Sequence, residues 1–147
     1  MRAVVTRVSE ASVEIEKKIV GKIGKGFLVL LGVGIGDTEE NAKHLAEKIA
    51  HTRVFYDEND KMNLSLGDVG GALLIVSQFT LYADLKSRRP GFTKAAKADV
   101  AEELYEKFID YCKEYGFQTE HGEFGADMQV ASVNDGPVTL LFDTDEV

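Results

Sequence analysis

Side chains able to do chemistry concentrate in two short stretches of this 147-residue chain, Ser77-Gln78-Phe79-Thr80 and Asn134-Asp135-Gly136-Pro137. The first closes the run LLIVSQFTLYAD. That run begins apolar on both faces of a strand, and then two hydroxyls and a carboxamide enter near its end. Polar groups in such a place need hydrogen-bond partners. Two readings stand side by side: the groups cap neighbouring loops, or they line a cleft at the strand's end. No GxSxG surrounds them and no His or Asp is evidently placed to take the Thr80 proton. Both points argue against an ordinary Ser or Thr nucleophile.

The second stretch puts one of only two prolines directly after a glycine, at the mouth of the apolar run VTLLFD. Proline can open a strand, because its missing N–H falls where no ladder bond is due. The alternative is a cis Gly136–Pro137 peptide, a form taken by about 5–6% of X–Pro bonds in folded proteins. With no Cβ on Gly136, the two carbonyl oxygens can face outward as paired acceptors, which suits an ammonium group. The sequence leaves both readings open.

A third feature is the basic cluster Lys86, Ser87, Arg88, Arg89 and Lys94. It is either a solvated turn stiffened by Pro90 or a contact for a phosphate or a nucleic-acid end. The chain carries a formal charge of -8 and a pI near 4.9, which argues against a protein held to nucleic acid mainly by a diffuse basic surface and does not exclude a local contact. GVGIGD follows a buried run and opens a helix, but Asp37 stands where GxGxxG needs its last glycine. Acidic residues at that helix start would repel a phosphate. The three histidines, His44, His51 and His121, lack metal-ligand spacing. The single Cys112 excludes an internal disulfide and a cysteine zinc cluster. No cofactor or metal is expected. No apolar run approaches the roughly 20 residues of a membrane helix, and the alternating, charged start is no signal peptide, so a cytoplasmic protein is expected.

The elements that must position these residues read as one α+β domain over residues 1–147. Residues 1–8 and 12–16 alternate as strands, Lys17-Lys18 turns, and 19–23 returns. Gly24-Lys25-Gly26 turns again into 27–33, apolar throughout and therefore central. Asp37 or Thr38 caps a helix whose stripe is Ala42, Leu45, Ala46 and Ile49. A short strand at 53–55, a polar loop and a long strand at 72–82 follow. Thr93 or Lys94 starts a second helix reaching about Tyr115, with Val100, Leu104, Phe108, Ile109 and Cys112 inward. Strands near 117–121, 128–133 and 137–142 close the chain. The sheet is expected to be mainly antiparallel and barrel-like, with two main helices.

SQFTL and NDGPVT together resemble the paired motifs of the D-Tyr-tRNA deacylase family, D-aminoacyl-tRNA deacylases. The flanking MRAVV, GFLVLLGV, RRPGFTKAA and GEFGADMQV resemble the family as well, over the whole length. The resemblance implies a compact homodimer with its active site at the subunit interface and the 3′ end of aminoacyl-tRNA as partner. It implies hydrolysis of the ester that joins a D-amino acid, or glycine mischarged on tRNA-Ala, to the terminal adenosine. By match, Gly136 and Pro137 form a cis pair, supplied across the interface, that meets the α-amino group and rejects L-amino acids. Ser77, Gln78, Phe79 and Thr80 line the ester, Arg7 braces the Gly-Pro loop, and Phe124 and Met128 help form the adenosine pocket. Thr6 stands where the family commonly has Gln, and Gly91 where Ser is frequent. With no base-equipped nucleophile in view, the ribose 2′-OH is expected to assist water. The Phe79 N–H or the Gln78 amide would hold the oxyanion. Two rivals are weighed: an esterase with a Thr80 nucleophile, and a binding module that uses Arg88, Arg89 and Lys94 without turnover.

Overall fold

The structure, a computed structural model, describes residues 1–147. Alternating residues build β1 (Arg2–Ile15), one long strand where two were expected. The Glu16-Lys17 turn, both residues at positive φ, leads into β2 (Lys18–Ile23). The expected reversal at Gly24-Lys25-Gly26 is instead a bend. β3 (Gly26–Gly32) continues in the direction of β2 along the same edge of β1, pairing Arg2–Val8 where β2 pairs Ala11–Ile15. The other edge of β1 is covered along its length by β8 (Gln129–Asp143), again a single strand where two were expected.

β6 (Ala72–Ser77) adds to β3 in parallel, and β7 (Gln118–His121) adds to β6 in parallel. The sheet is thus antiparallel around β1 and parallel beyond β3. Gly26 makes the β3–β6 junction possible: a Cβ there would lie 1.9 Å from the Ala72 carbonyl oxygen. A minor hairpin, β4 (Phe55–Tyr56) and β5 (Met62–Leu64), occupies part of the expected polar loop.

β3 and β6 are buried on both faces because each serves two cores. Phe27, Val29, Leu31, Leu73 and Ile75 pack under the helices, while Leu28, Leu74 and Val76 join Val8, Val13 and Ile23 inside the curled, nearly closed sheet. The helices α1 (Glu39–His51) and α2 (Ala98–Glu114) lie against each other on the outer core. Thr38 caps α1, its N–H donating to Asn41 Oδ1 at 2.8 Å. Asp37 is engaged elsewhere, accepting from the Gly34 N–H at 2.7 Å and the Met1 amine at 2.8 Å. This gives GVGIGD a structural role as a turn.

α2 starts later than expected because residues before it are tied to the end of β3. The Ala96 N–H donates to the Val33 carbonyl at 3.0 Å and the Ile35 N–H to the Lys94 carbonyl at 3.1 Å. Its inward face is Ala101, Leu104, Tyr105, Phe108, Ile109 and Cys112; Val100 points outward, contrary to expectation. No helix is long and apolar enough to cross a membrane.

Candidate active site

The strand expected over 72–82 ends early. The Gln78 N–H makes a last ladder bond to the Leu31 carbonyl at 2.7 Å, and the backbone then winds into a 3-10 turn, Phe79–Tyr82. The cause lies in the neighbouring chain segment. Gly32 and Gly34 leave room for the turn: a Cβ at Gly32 would sit 3.0 Å from the Gln78 carbonyl oxygen and from Leu81 Cβ. At Gly34 it would strike the Tyr82 ring at 2.6 Å. Arg2 clamps the turn from the far side. It donates to the Leu81 carbonyl at 3.1 Å and to Asp143 at 3.0 Å, with its guanidinium 4.5 Å above the Tyr82 ring. The strand alternation that would have split Ser77, Gln78, Phe79 and Thr80 between two faces is thereby replaced by one compact group.

Beside this group opens a cavity of about 540 Å³, within the size range of small-ligand sites. Ser77, Gln78 and Phe79 line it together with Phe124 and Met128. Ala96, just before α2, and Ala98, its first residue, line it as well. Tyr105 ties the lining together: its hydroxyl donates to the Ile75 carbonyl at 3.0 Å, and its ring lies 6.0 Å from Phe124. Met128 is seated against backbone, because a Cβ on Gly122 would be 2.5 Å from its sulfur. Phe79, 54% exposed, meets Phe92 edge-on with ring centres 5.0 Å apart. Thr80 is exposed, does not line the cavity, and receives a hydrogen bond from the Gln78 carboxamide. As the first two residues of a 3-10 turn, Phe79 and Thr80 have N–H groups with no acceptor inside it. These are fixed donors at the cavity edge.

Arg7, Gly136 and Pro137 lie elsewhere. Thr6 pairs with Thr139 and Val8 with Asn134, so Arg7 alone faces Asp135, Gly136, Pro137 and Val138. This is a wide bulge in one strand, not the expected loop between two. The Gly136–Pro137 peptide is cis. Arg7 is 1% exposed and spans the bulge. Its Nε donates to the Asp135 carbonyl at 3.0 Å, a second nitrogen donates to the Val54 carbonyl, and its guanidinium lies 4.8 Å from the Tyr56 ring centre. Gly136 and Pro137 are exposed. None of Arg7, Gly136 and Pro137 lines the cavity. One chain does not bring its two motifs together there.

Residues 4–143 match the family model described as D-Tyr-tRNA(Tyr) deacylase. The chain belongs to this family. A D-aminoacyl-tRNA deacylase of Thermosipho africanus is 60% identical over 148 residues, spanning 100% of this chain and 99% of that protein. One from Thermotoga petrophila is 52% identical with the same coverage. Among solved structures, the c-Myc DNA Unwinding Element Binding Protein superposes with a TM-score of 0.92 at 39% identity, covering 97% of this chain and 98% of the other. A probable eukaryotic D-amino acid tRNA deacylase gives 0.81 at 20% identity, covering 96% and 97%, and supports the fold alone.

In this member of the deacylase family the cavity also holds a residue that the sequence reading passed over. Asp127 is the one carboxylate in its lining, between Phe124 and Met128. Only its place in GEFGADMQV could have flagged it. Cys112 is no nucleophile: it lies on the buried face of α2, and burial pushes its thiol up to about 12.

Proposed function

We propose that the chain hydrolyses the ester of D-aminoacyl-tRNA, and of glycine mischarged on tRNA-Ala, in the cytoplasm, releasing the free amino acid and tRNA. The observation that carries this reading is the one cavity that Gln78, Phe79, Phe124 and Met128 line together. An aromatic and a thioether wall suit an adenine ring, and the 3-10 turn supplies donors for the ester. Water adds to the ester carbonyl carbon while the developing oxyanion accepts from the Phe79 N–H or the Gln78 carboxamide. The bond to the ribose 3′ oxygen then breaks, and that oxygen takes a proton relayed through the neighbouring 2′-OH. Ser77 and Thr80 position the ester and Gln78 without forming a covalent intermediate.

Handedness is read by Gly136 and Pro137, whose carbonyl oxygens meet the α-ammonium group and occupy the space an L side chain would need. Arg7 holds that bulge in place. Because Gly136 and Pro137 do not line the cavity of their own chain, a second copy must contribute them. The outer edge of β8 supports such an assembly: it pairs with nothing beyond β1, and it exposes Val133 at 50% and Leu141 at 82%. A long open edge of this kind is a ready template for another chain.

The test is to incubate the protein with D-Tyr-tRNA and L-Tyr-tRNA in the presence of EDTA and to follow ester loss. Rapid loss of the D ester with the L ester intact is expected. Loss of both at equal rates, or of neither, overturns the proposal.

A further inference from the structure

The basic segment beside the cavity takes no part in the chemistry above. Residues 85–97 carry Lys86, Arg88, Arg89, Lys94 and Lys97 and no acidic side chain, in a chain with 25 Asp and Glu against 17 Lys and Arg. The segment is built rather than loose. Asp84 and Gly91 exchange two backbone hydrogen bonds, at 2.7 and 3.0 Å, which close the loop. The Lys86 N–H donates to the Asp84 carboxylate at 3.0 Å, and the Ser87 hydroxyl donates to the Arg89 carbonyl at 2.7 Å. All of residues 85–90 are exposed. The four ion pairs of the chain involve Met1, Arg2, Arg7 and His51, so none of these cations is neutralised by a carboxylate.

Position gives the cluster its meaning. Phe92, at the foot of the loop, rests on Phe79 of the cavity wall, and Lys97 stands between Ala96 and Ala98 of the cavity lining. On the reading that the cavity takes the terminal adenosine, the phosphates that precede it leave through this rim. We propose that residues 85–97 bind the phosphates of the tRNA 3′ strand and acceptor end, with Arg88 and Arg89 as the principal contacts. The acidic remainder of the surface repels the polyanion, so this rim sets the direction from which tRNA approaches. Arginine forks are suited to phosphate, and such contacts position the nucleic acid without reading its sequence.

The experiment compares binding of uncharged tRNA across 50–200 mM KCl for the wild type, Arg88→Ala/Arg89→Ala, Arg88→Lys/Arg89→Lys, and a charge-matched control, Lys17→Ala/Lys18→Ala, at the β1–β2 turn. Loss of two phosphate contacts flattens the log–log salt slope by about 1.4 to 1.8, which over this fourfold range is roughly 7- to 12-fold. The double alanine variant should show that flattening, and the lysine variant and the control should keep the wild-type slope. A wild-type slope in the double alanine variant, or equal flattening in the control, overturns the proposal. In parallel, the ratio of kcat/KM for D-Tyr-tRNA to that for D-tyrosyl-adenosine should fall in the double alanine variant, by roughly 7- to 12-fold more at 50 mM than at 200 mM KCl. Equal loss on both esters also overturns it, because the loop would then act through the cavity wall. If the wild type binds tRNA with the expected slope but hydrolyses neither ester, the deacylase reading fails and the phosphate rim stands.

Discussion

Gly136→Ala separates a site built by one chain from a site shared by two. Within one chain the new methyl group meets only the Asn134 side chain, 3.4 Å away, an ordinary contact at a residue without positive φ. The substitution should therefore fold normally, with stability unchanged or raised by about 0.4–1 kcal/mol through the stiffer unfolded chain. Gly136 is not among the residues that line the same chain's cavity, so the substitution does not disturb that cavity directly. If Gly136 of a second copy touches the substrate ammonium, the methyl displaces the ester by about 1 Å, which typically costs about 10²-fold in rate. Gln78→Ala, which removes a candidate oxyanion donor, should cost about 10²–10³-fold. Mixing the two inactive proteins and allowing subunits to exchange then produces a specific recovery. Random pairing makes half the dimers mixed, and each mixed dimer holds one site with both lesions and one with neither. Activity on D-Tyr-tRNA should rise to about a quarter of the wild-type value for a twofold assembly. Native mass spectrometry would confirm exchange. A mixture no more active than its components, with exchange demonstrated, would refute the shared site.

Other outcomes follow from individual contacts. Thr80→Ala should retain activity within about tenfold of wild type, because Thr80 lies outside the cavity lining and at most steadies Gln78; near-complete loss with an intact fold, or a trapped acyl-enzyme, would identify a Thr nucleophile instead. Gly122→Ala forces the Met128 sulfur from 2.5 Å to van der Waals distance, so KM should rise by about tenfold with kcat nearly unchanged, which steady-state kinetics on D-Tyr-tRNA would check. Cys112 should resist alkylation in the native state at pH 8 and react once the protein is unfolded in urea. Its folded value of about 12 lies above the reference 9.0, so burial of the neutral thiol favours folding below pH 9. That contribution is lost as pH rises from 9 towards 12, and Cys112→Ala should show a weaker alkaline decline in urea midpoint.

Much of the fold could be read from local pattern because the pattern and the packing agree. β3 is apolar throughout and lies between two cores, and the α1 stripe of Ala42, Leu45, Ala46 and Ile49 is the face that packs. The misreadings occur where a distant segment decides. Alternation continues through Leu81 and Tyr82, so a strand was expected, but Gly32 and Gly34 of another element admit a tighter turn. Asn134-Asp135-Gly136-Pro137 resembles a break between strands, yet β1 pairs on both sides of it and Arg7 fills the gap. The start of α2 is delayed by backbone bonds to Val33 and Ile35, which no helical propensity encodes. For the site, Ser77, Gln78 and Thr80 stand out because polarity enters an apolar run, while Phe79 enters only through the family resemblance. Ala96 and Ala98 carried no signal, since a small residue in a cavity lining resembles any other alanine.

A crystal structure of the protein with a non-hydrolysable amide analogue, D-tyrosyl-3′-aminoadenosine, would place every proposed contact at once. The adenine should lie between the Phe124 and Met128 wall and the Gln78–Phe79 turn of one copy. The ammonium should lie about 2.7–3.2 Å from the Gly136 or Pro137 carbonyl oxygen of the second copy. An ammonium held only by groups of the same chain, with Gly136 and Pro137 of the second copy facing solvent, would contradict the account.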